Sequence, residues 1–454
     1  MSFLFAMLVT VLAAAPLPAL AAPPTLSLSE AVALAQRNHP RVAGMQARLE
    51  GVEARGREVR GESLPRVELQ AVHVGGLSGA KGAGLGVQGI VSSQLVADDA
   101  VGVNVWQRLY DSGELRHRKR ALAHQTGVAR GEGEVVQREV GLEAVKAFVE
   151  VQAQQALLAV YLDLLSDREA FAAQAEGYLK AGLRTGIDAS LARVQVARAR
   201  GLLAAVTGRR DRARASLDRA LGMAGSPDGQ TGPGSSAAPP RELVPLRLAL
   251  PALPALEPLA RFARTSRPEM VAARRAVEAA QAEIKAVRAT RNLQLVGFLS
   301  AGAADTARSR ADDFEWAGGV ALKLPLDVSS VYGERIGQAR ARLREAEARL
   351  RDAEEQVYLE LRQARLEVEN LRQQQEVDRQ ELEQAHLALK MSDEQYRAGL
   401  GSFLDRLQAE NSVVEASSRL RQREFDSLAS WVRLQVAGGA TVPEAVAGLE
   451  PVPK

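Results

Sequence analysis

The chain has no cysteine in 454 residues, only five histidines, and few aromatic side chains (Phe 9, Tyr 6, Trp 3). Without thiols there is no disulfide framework, no thiolate zinc site, no cysteine nucleophile and no N-terminal cysteine to carry a lipid. So few histidines offer little to a metal centre, and an aromatic share of 4% offers little to a ring-lined pocket. An excess of one charge is missing too: 58 basic residues stand against 55 acidic ones, for a net +3, with the signs interspersed. That pattern excludes a nucleic-acid-binding tail and reads as solvated helix faces.

Long hydrophobic runs are confined to the start. Residues 3–15 (FLFAMLVTVLAAA), followed by Pro16, Pro18 and Ala19-Leu20-Ala21, read as a secretory signal peptide over 1–21, cut near Ala21 or Ala22. Met1-Ser2 lacks the basic residue usual in front of such a run. Beyond it, nothing reaches the roughly 18–20 apolar residues of a membrane-spanning helix. An exported chain without a helical anchor is expected.

What is present is a duplication. Asn38-His39-Pro40-Arg41-Val42 opens one helical stretch, and 228 residues later Ser266-Arg267-Pro268-Glu269-Met270 opens another of the same texture. Each precedes two alternating segments and then a long Ala-rich helical region. The expected plan is a first repeat over 22–222, with strands near 64–76 and 99–111 and a helical hairpin over 113–222. A linker follows over 223–258, where eight of the 19 prolines lie. The second repeat spans 259–438, with a helix over 268–291, strands near 292–303 and 314–326, and a hairpin over 329–438; residues 439–454 form a tail.

Proline is absent from Arg66 to Ser226 and from Leu326 to Val442, and that absence permits very long helices. Ile336, Ala339, Leu343, Ala346, Leu350, Ala353 and Val357 follow a 3,4 spacing, which Leu361, Ala364, Val368 and Leu371 resume after one extra step of four. This is a coiled-coil seam with a stutter. A helix from Gly333 to Arg397 would be roughly 95–100 Å long.

The strands alternate with period two. Val67, Leu69 and Ala71 interleave with Arg66, Glu68 and Gln70, and Val101, Val103 and Val105 with Gly102, Asn104 and Trp106. Leu293, Leu295 and Leu299 share a parity, as do Trp316, Val320, Leu322 and Leu324. Such strands suit a soluble sheet or a membrane barrel equally. The intervening segments, seven glycines within Gly75–Gly89 and the small polar run Ala301–Asp313, favour the barrel, since they suit exposed hairpin ends. Four strands cannot close alone, and an open edge in hydrocarbon leaves backbone groups unpaired at several kcal/mol each. Oligomerisation is expected, with twelve strands in a trimer. Trp316 stands at the loop end of its strand, and Trp106 falls on the polar parity.

From Leu28-Ser29-Glu30-Ala31-Val32-Ala33-Leu34-Ala35 to about Leu434 the chain resembles the outer-membrane efflux protein (TolC) family. The resemblance includes Leu109-Tyr110-Asp111-Ser112-Gly113 and two matching turns, 181–188 (AGLRTGID) and 398–405 (AGLGSFLD), 217 residues apart. It implies a mixed, mostly α membrane protein: a homotrimer whose four strands per chain complete a 12-stranded barrel in outer-membrane lipid. A coiled-coil α-helical barrel would continue into the periplasm. The implied function is the exit channel of a tripartite efflux or type I secretion system, served by a periplasmic adaptor (membrane fusion) protein and an inner-membrane pump of RND or ABC type, with no cofactor and no nucleic acid. By the resemblance, Gly182, Leu183, Thr185, Gly399, Leu400 and Ser402 form the periplasmic tip and adaptor contact, and Asp188, Tyr396 and Asp405 the pore gate. A glycine that merely ends a helix, followed by a hydrophobic contact, is the other reading of each turn. Where relatives carry a latching arginine this chain has Gly401, and Gln408 stands where a second acid is common; a weaker latch is expected.

Other motifs carry no chemistry. Gly84-Leu85-Gly86-Val87-Gln88-Gly89 fits G-x-G-x-x-G without a following helix or ribose-binding acid. His117 and His124 lack a third ligand, and no nucleophile–base pair suggests an enzyme. A secreted periplasmic coiled-coil scaffold would leave the strands without a role, and a simple porin would not need 100 Å helices.

Overall fold

The computed structural model describes residues 25–73, 97–182, 185–223, 242–306, 314–326 and 330–449. The expected signal peptide, the Gly75–Gly89 segment, Leu183 and the middle of the expected linker lie outside the described residues. In chain order the elements are β1 (Thr25–Leu26), α1 (Leu28–Asn38), α2 (Pro40–Gly61), β2 (Arg66–His73), β3 (Ala97–Tyr110), α3 (Glu114–Lys180), α4 (Gly186–Ala220), β4 (Glu242–Leu243), α5 (Leu256–Ser266), α6 (Pro268–Ala289), β5 (Gln294–Thr306), β6 (Phe314–Lys323), α7 (Val331–Arg397), α8 (Phe403–Ala437) and α9 (Val442–Ala447).

The duplication holds residue for residue in the helices. Lengths of 11, 22, 67 and 35 residues run through α1–α4 and again through α5–α8. At 1.5 Å per residue, α3 and α7 are each about 100 Å long. The entry to α3 is set by local chemistry: Ser112 and Gly113 take positive φ, and the Asp111 carboxylate accepts from the N–H groups of Gly113 (2.9 Å) and Leu115 (2.8 Å). That carboxylate satisfies donors that the first helical turn leaves without partners.

The second arm of each hairpin covers only half of the first. The rest is covered by the preceding short helix, stacked end to end on it: a Cβ at Gly222, just past α4, would lie 2.7 Å from the Asn38 carbonyl oxygen, at the end of α1. Gly439, just past α8, is packed as tightly against Ser266 at the end of α5. Each chain is thus four rods in the order α2/α4, α3, α6/α8, α7, with α3 packed on α2 and α4 on one side and on α6 and α8 on the other.

The joints between stacked helices lie at one level, and the largest core sits there. Leu28 and Val32 of α1, Phe148 of α3, Leu361 of α7, Leu428 and Trp431 of α8 and Val446 of α9 belong to it. Fully burying such a side chain stabilises by about 1.5–3 kcal/mol. The C-terminal segment expected as a tail is part of this core: α9 is capped by Thr441 and Glu444, and Val442, Ala445, Val446 and Leu449 are buried. The end of the expected linker is ordered as well, because β4 pairs in parallel with β1 and Gln152 donates to the Val244 carbonyl at 2.5 Å. Arg365 and Arg372 of α7 hold the same segment through the Pro254 and Pro251 carbonyls. These pieces form a belt across one face of the rods.

At one end of the rods β2, β3, β5 and β6 form a four-stranded sheet in that order, antiparallel throughout. The register puts Val67 opposite Val105, Leu69 opposite Val103, Val105 opposite Leu299 and Ala301 opposite Trp316. One face is therefore apolar across all four strands and lies open, with Leu69 at 76% and Trp316 at 71% exposure. The other face carries Asn104 hydrogen-bonded to Gln70 at 3.1 Å, and Trp106 beneath the Arg66 guanidinium at 5.3 Å.

Candidate functional site: the helical tip

The opposite end consists of the two helix-to-helix turns. After α7, Gly399 takes φ +81°, its N–H donates to Tyr396 O (3.2 Å), and the Leu400 N–H donates to Gln395 O (2.9 Å). After α3, Gly182 at φ +71° donates to Leu179 O (3.1 Å). Both are Schellman-type ends, which require a residue tolerant of positive φ. In such an end the residue after glycine usually folds back onto the helix, but Leu400 is 86% exposed, as is much of Ile187 (68%) and Leu404 (63%).

Ser402 caps α8 in a reciprocal box: its hydroxyl accepts from the Asp405 N–H (3.1 Å) and donates to the Asp405 carboxylate (2.7 Å), which also accepts from the Ser402 N–H (3.2 Å). These bonds to the ionised form hold the Asp405 carboxyl below its ordinary range. Thr185 occupies the same place before α4 without a side-chain cap bond. Among the described residues no hydrogen bond or ion pair joins Asp188 to Asp405. Tyr396, expected at the gate, is 1% exposed and lies among Phe171 (5.2 Å between rings), Tyr178 (6.4 Å) and Phe403.

Just above this aromatic cluster is a charged network that sequence reasoning missed. Arg168 of α3 reaches Glu410 of α8 at 3.1 Å, donates to Asn411 at 2.8 Å and to the Gln195 carbonyl of α4 at 3.3 Å. Arg406 lies 3.8 Å from the Phe171 ring centroid, donates to Asp393 at 2.9 Å and approaches Glu410 at 3.7 Å. The visible trace is Leu164, Arg168, Phe171 and Ala175, a charge inside an apolar 4,3,4 spacing.

Near the joints, on the side of α7 turned away from the belt, a cavity of about 510 Å³ is lined by Glu143, Glu150, Glu367 and Asp426 along with Lys146 and Arg433. Burial, followed by the charges of Glu150 and Glu367, pushes the Asp426 carboxyl up. Among the described residues no group of three His, Asp or Glu is placed to hold a metal ion, and no helix is long and apolar enough to cross a membrane.

A bundle of rods about 100 Å long ending in an apolar-faced sheet has the architecture of a conduit. The family described as outer membrane efflux protein matches residues 31–223 and 259–440, and the chain belongs to that family. It is similar in fold to VceC, the outer membrane protein of Vibrio cholerae, at 20% identity and a TM-score of 0.73, covering 91% of this chain and 96% of that one. A membrane protein from Pseudomonas aeruginosa matches at 21% identity and TM-score 0.73, covering 91% and 93%. The open state of the MtrE outer membrane channel of Neisseria gonorrhoeae matches at 17% and 0.71, covering 91% and 89%. No curated protein sequence matches the chain. The protein is an outer-membrane efflux exit channel with a periplasmic extension.

Proposed function

We propose that three copies close side by side into a ring, completing a twelve-stranded barrel in lipid and a twelve-rod tunnel below it, and that the tunnel's tip is both gate and docking point. The observation that carries this reading is the pair of free edges. On α7, directly opposite the seam that faces α8, Leu359, Gln363, Leu366, Asn370, Gln373, Val377, Gln380, Gln384, Leu387 and Met391 form an exposed heptad stripe without a single charge. On α4, at the other edge, Ile187, Ser190, Val194, Ala197, Gly201, Ala204 and Gly208 form an exposed stripe of mostly small residues. Larger side chains on one edge fit between small ones on the other, as in knobs-into-holes packing.

With the belt outside the ring, Glu150, Glu367 and Asp426 face the tunnel, and the lumen favours cations at that level. At the tip, Gly182, Leu183, Thr185, Gly399, Leu400 and Ser402 offer a periplasmic adaptor two glycine turns with apolar knobs; the exposure of Leu400 supports this over a purely structural cap. Asp188 and Asp405 supply carboxylates for the constriction and Tyr396 anchors it. The pump joined through the adaptor is of RND or ABC type.

The test is the mass of the mature protein in mild detergent together with negative-stain images. Three times the protomer mass and a long hollow stalk are expected. A monomer or an elongated dimer would overturn the ring and favour a coiled-coil scaffold.

A further inference from the structure

We propose that α7 of one copy packs on α2 of the next in the same register that α3 already uses on α6 within a chain. This rests on the ring reading above and adds its residue-level address. The helical repeats are equal in length and correspond by constant offsets, 217 positions from α3 to α7 and 228 from α2 to α6. Each contact between α3 and α6 therefore has a counterpart between the two free edges.

Three contacts define the internal template. Arg138 donates to Glu269 at 3.0 Å. Gly131 lies so close to α6 that a Cβ there would stand 3.0 Å from the Ala272 Cβ and 3.2 Å from the Pro268 carbonyl oxygen. Gly127 underlies the Arg275 stem, where a Cβ would stand 3.3 Å from its Cγ. Applying the offsets gives Glu355 opposite Arg41, Ala348 opposite Gly44, and Arg344 opposite Ala47. Every pair stays complementary with its members exchanged: acid for base, alanine for glycine, and an arginine stem again over a small residue.

All six of these residues are exposed in the single chain, and a Cβ at Gly44 would meet nothing within 4 Å. Ala348 and Glu355 lie on the side of α7 opposite the Leu350, Ala353 and Val357 seam, so they point away from their own α6. Arg41 also holds Glu139 and Glu143 of its own chain, so Glu355 would join an ion cluster as Glu269 does with Arg138 and Arg267. The occupant of each edge is a second copy of this chain.

The cysteine-free chain gives a clean background for the test. Gly44→Cys combined with Ala348→Cys, in protein extracted from outer membranes and oxidised, should migrate without reductant as a covalent trimer and return to single chains on reduction, because such close backbones suit the disulfide Cβ spacing of about 3.8 Å. Gly44→Cys with Ala341→Cys, one heptad or about 10 Å away, should stay unlinked. A protein that is trimeric by mass while Gly44→Cys/Ala348→Cys remains unlinked overturns the register alone; a protein that is not trimeric overturns the ring reading too. As an independent check, Arg41→Glu or Glu355→Arg should each lower the yield of trimer, and the two together should restore it; failure of the double variant to recover also overturns the register.

Discussion

Arg168 and Glu410 come from different hairpins, 242 residues apart, yet their side chains meet at 3.1 Å with only 6% of each exposed. The pair ties α3 to α8 just above the tip, and Arg406 extends it to Asp393 of α7. Nearer the turn, Arg397 at the end of α7 reaches the same Asp393 at 2.7 Å.

Removing one partner should be worse than removing both. Glu410→Gln leaves a buried guanidinium without its counter-charge and should cost about 3–5 kcal/mol, whereas Arg168→Met with Glu410→Leu should recover most of that. Thermal unfolding in detergent measures the cost. Planar-bilayer recording should show the single variant open more often at rest than the double.

Two glycines two residues apart on α3 should respond with opposite sign. Gly133 has nothing within 4 Å of a would-be Cβ, so Gly133→Ala should stabilise by about 0.5–1 kcal/mol. Gly131→Ala would press its methyl onto Ala272 and Pro268 and should destabilise. Denaturation midpoints of the two variants decide this.

Acidification should loosen the α8 cap late. The Asp405 pKa is depressed in the folded chain, so its contribution is present above the unfolded carboxylate pKa and is lost as pH falls through the lower, folded value. Ser402→Ala removes the hydroxyl bond, the larger of the two that depress it, and leaves the backbone N–H bond, so the Asp405 titration, followed by carboxyl NMR shifts, should move part of the way up toward the ordinary range. An unchanged titration would contradict the capping account.

Adjacent positions on β2 should differ sharply in tolerance. Leu69→Arg places a charge on the apolar face, at a cost of about 2–4 kcal/mol if it sits near the bilayer midplane, while Gln70→Arg stays on the polar face. The fraction of each variant recovered from outer membranes as trimer reads the difference.

Much of this was legible because it repeats over short intervals. The α7 seam from Ala339 to Leu371 and the strand parity from Val67 to Trp316 are periodic signals, and the structure keeps both, with Ala339, Val357, Leu361, Ala364, Val368 and Leu371 buried. Trp106 on the polar parity lies on the face away from the apolar one, as its neighbours Arg66 and Asn104 imply. What was not legible depends on contacts distant in sequence. Nothing local says that α4 stops halfway and α2 completes its rod, because the joint is formed by Gly222 meeting Asn38. The burial of α9 and the Arg168–Glu410 pair are likewise products of assembly, and an isolated Arg or a short apolar Val442–Ala447 looks the same in solvent. The tip glycines were readable; the exposure of Leu400 and the burial of Tyr396 were not.

The central pairing of the sheet sets Ala100 beside Ala304. The helical hairpins, by contrast, bring together residues that are neighbours in the chain, such as α3 with α4 across a short turn. Closing a long loop costs more entropy than closing a short one, and non-local pairing comes late. The helical hairpins and the β2–β3 and β5–β6 hairpins are therefore expected to form before the β3–β5 pairing that joins the two halves of the sheet. The apolar sheet is thereby completed by the docking of two repeats, each of which can build its own strand hairpin and helical hairpin first.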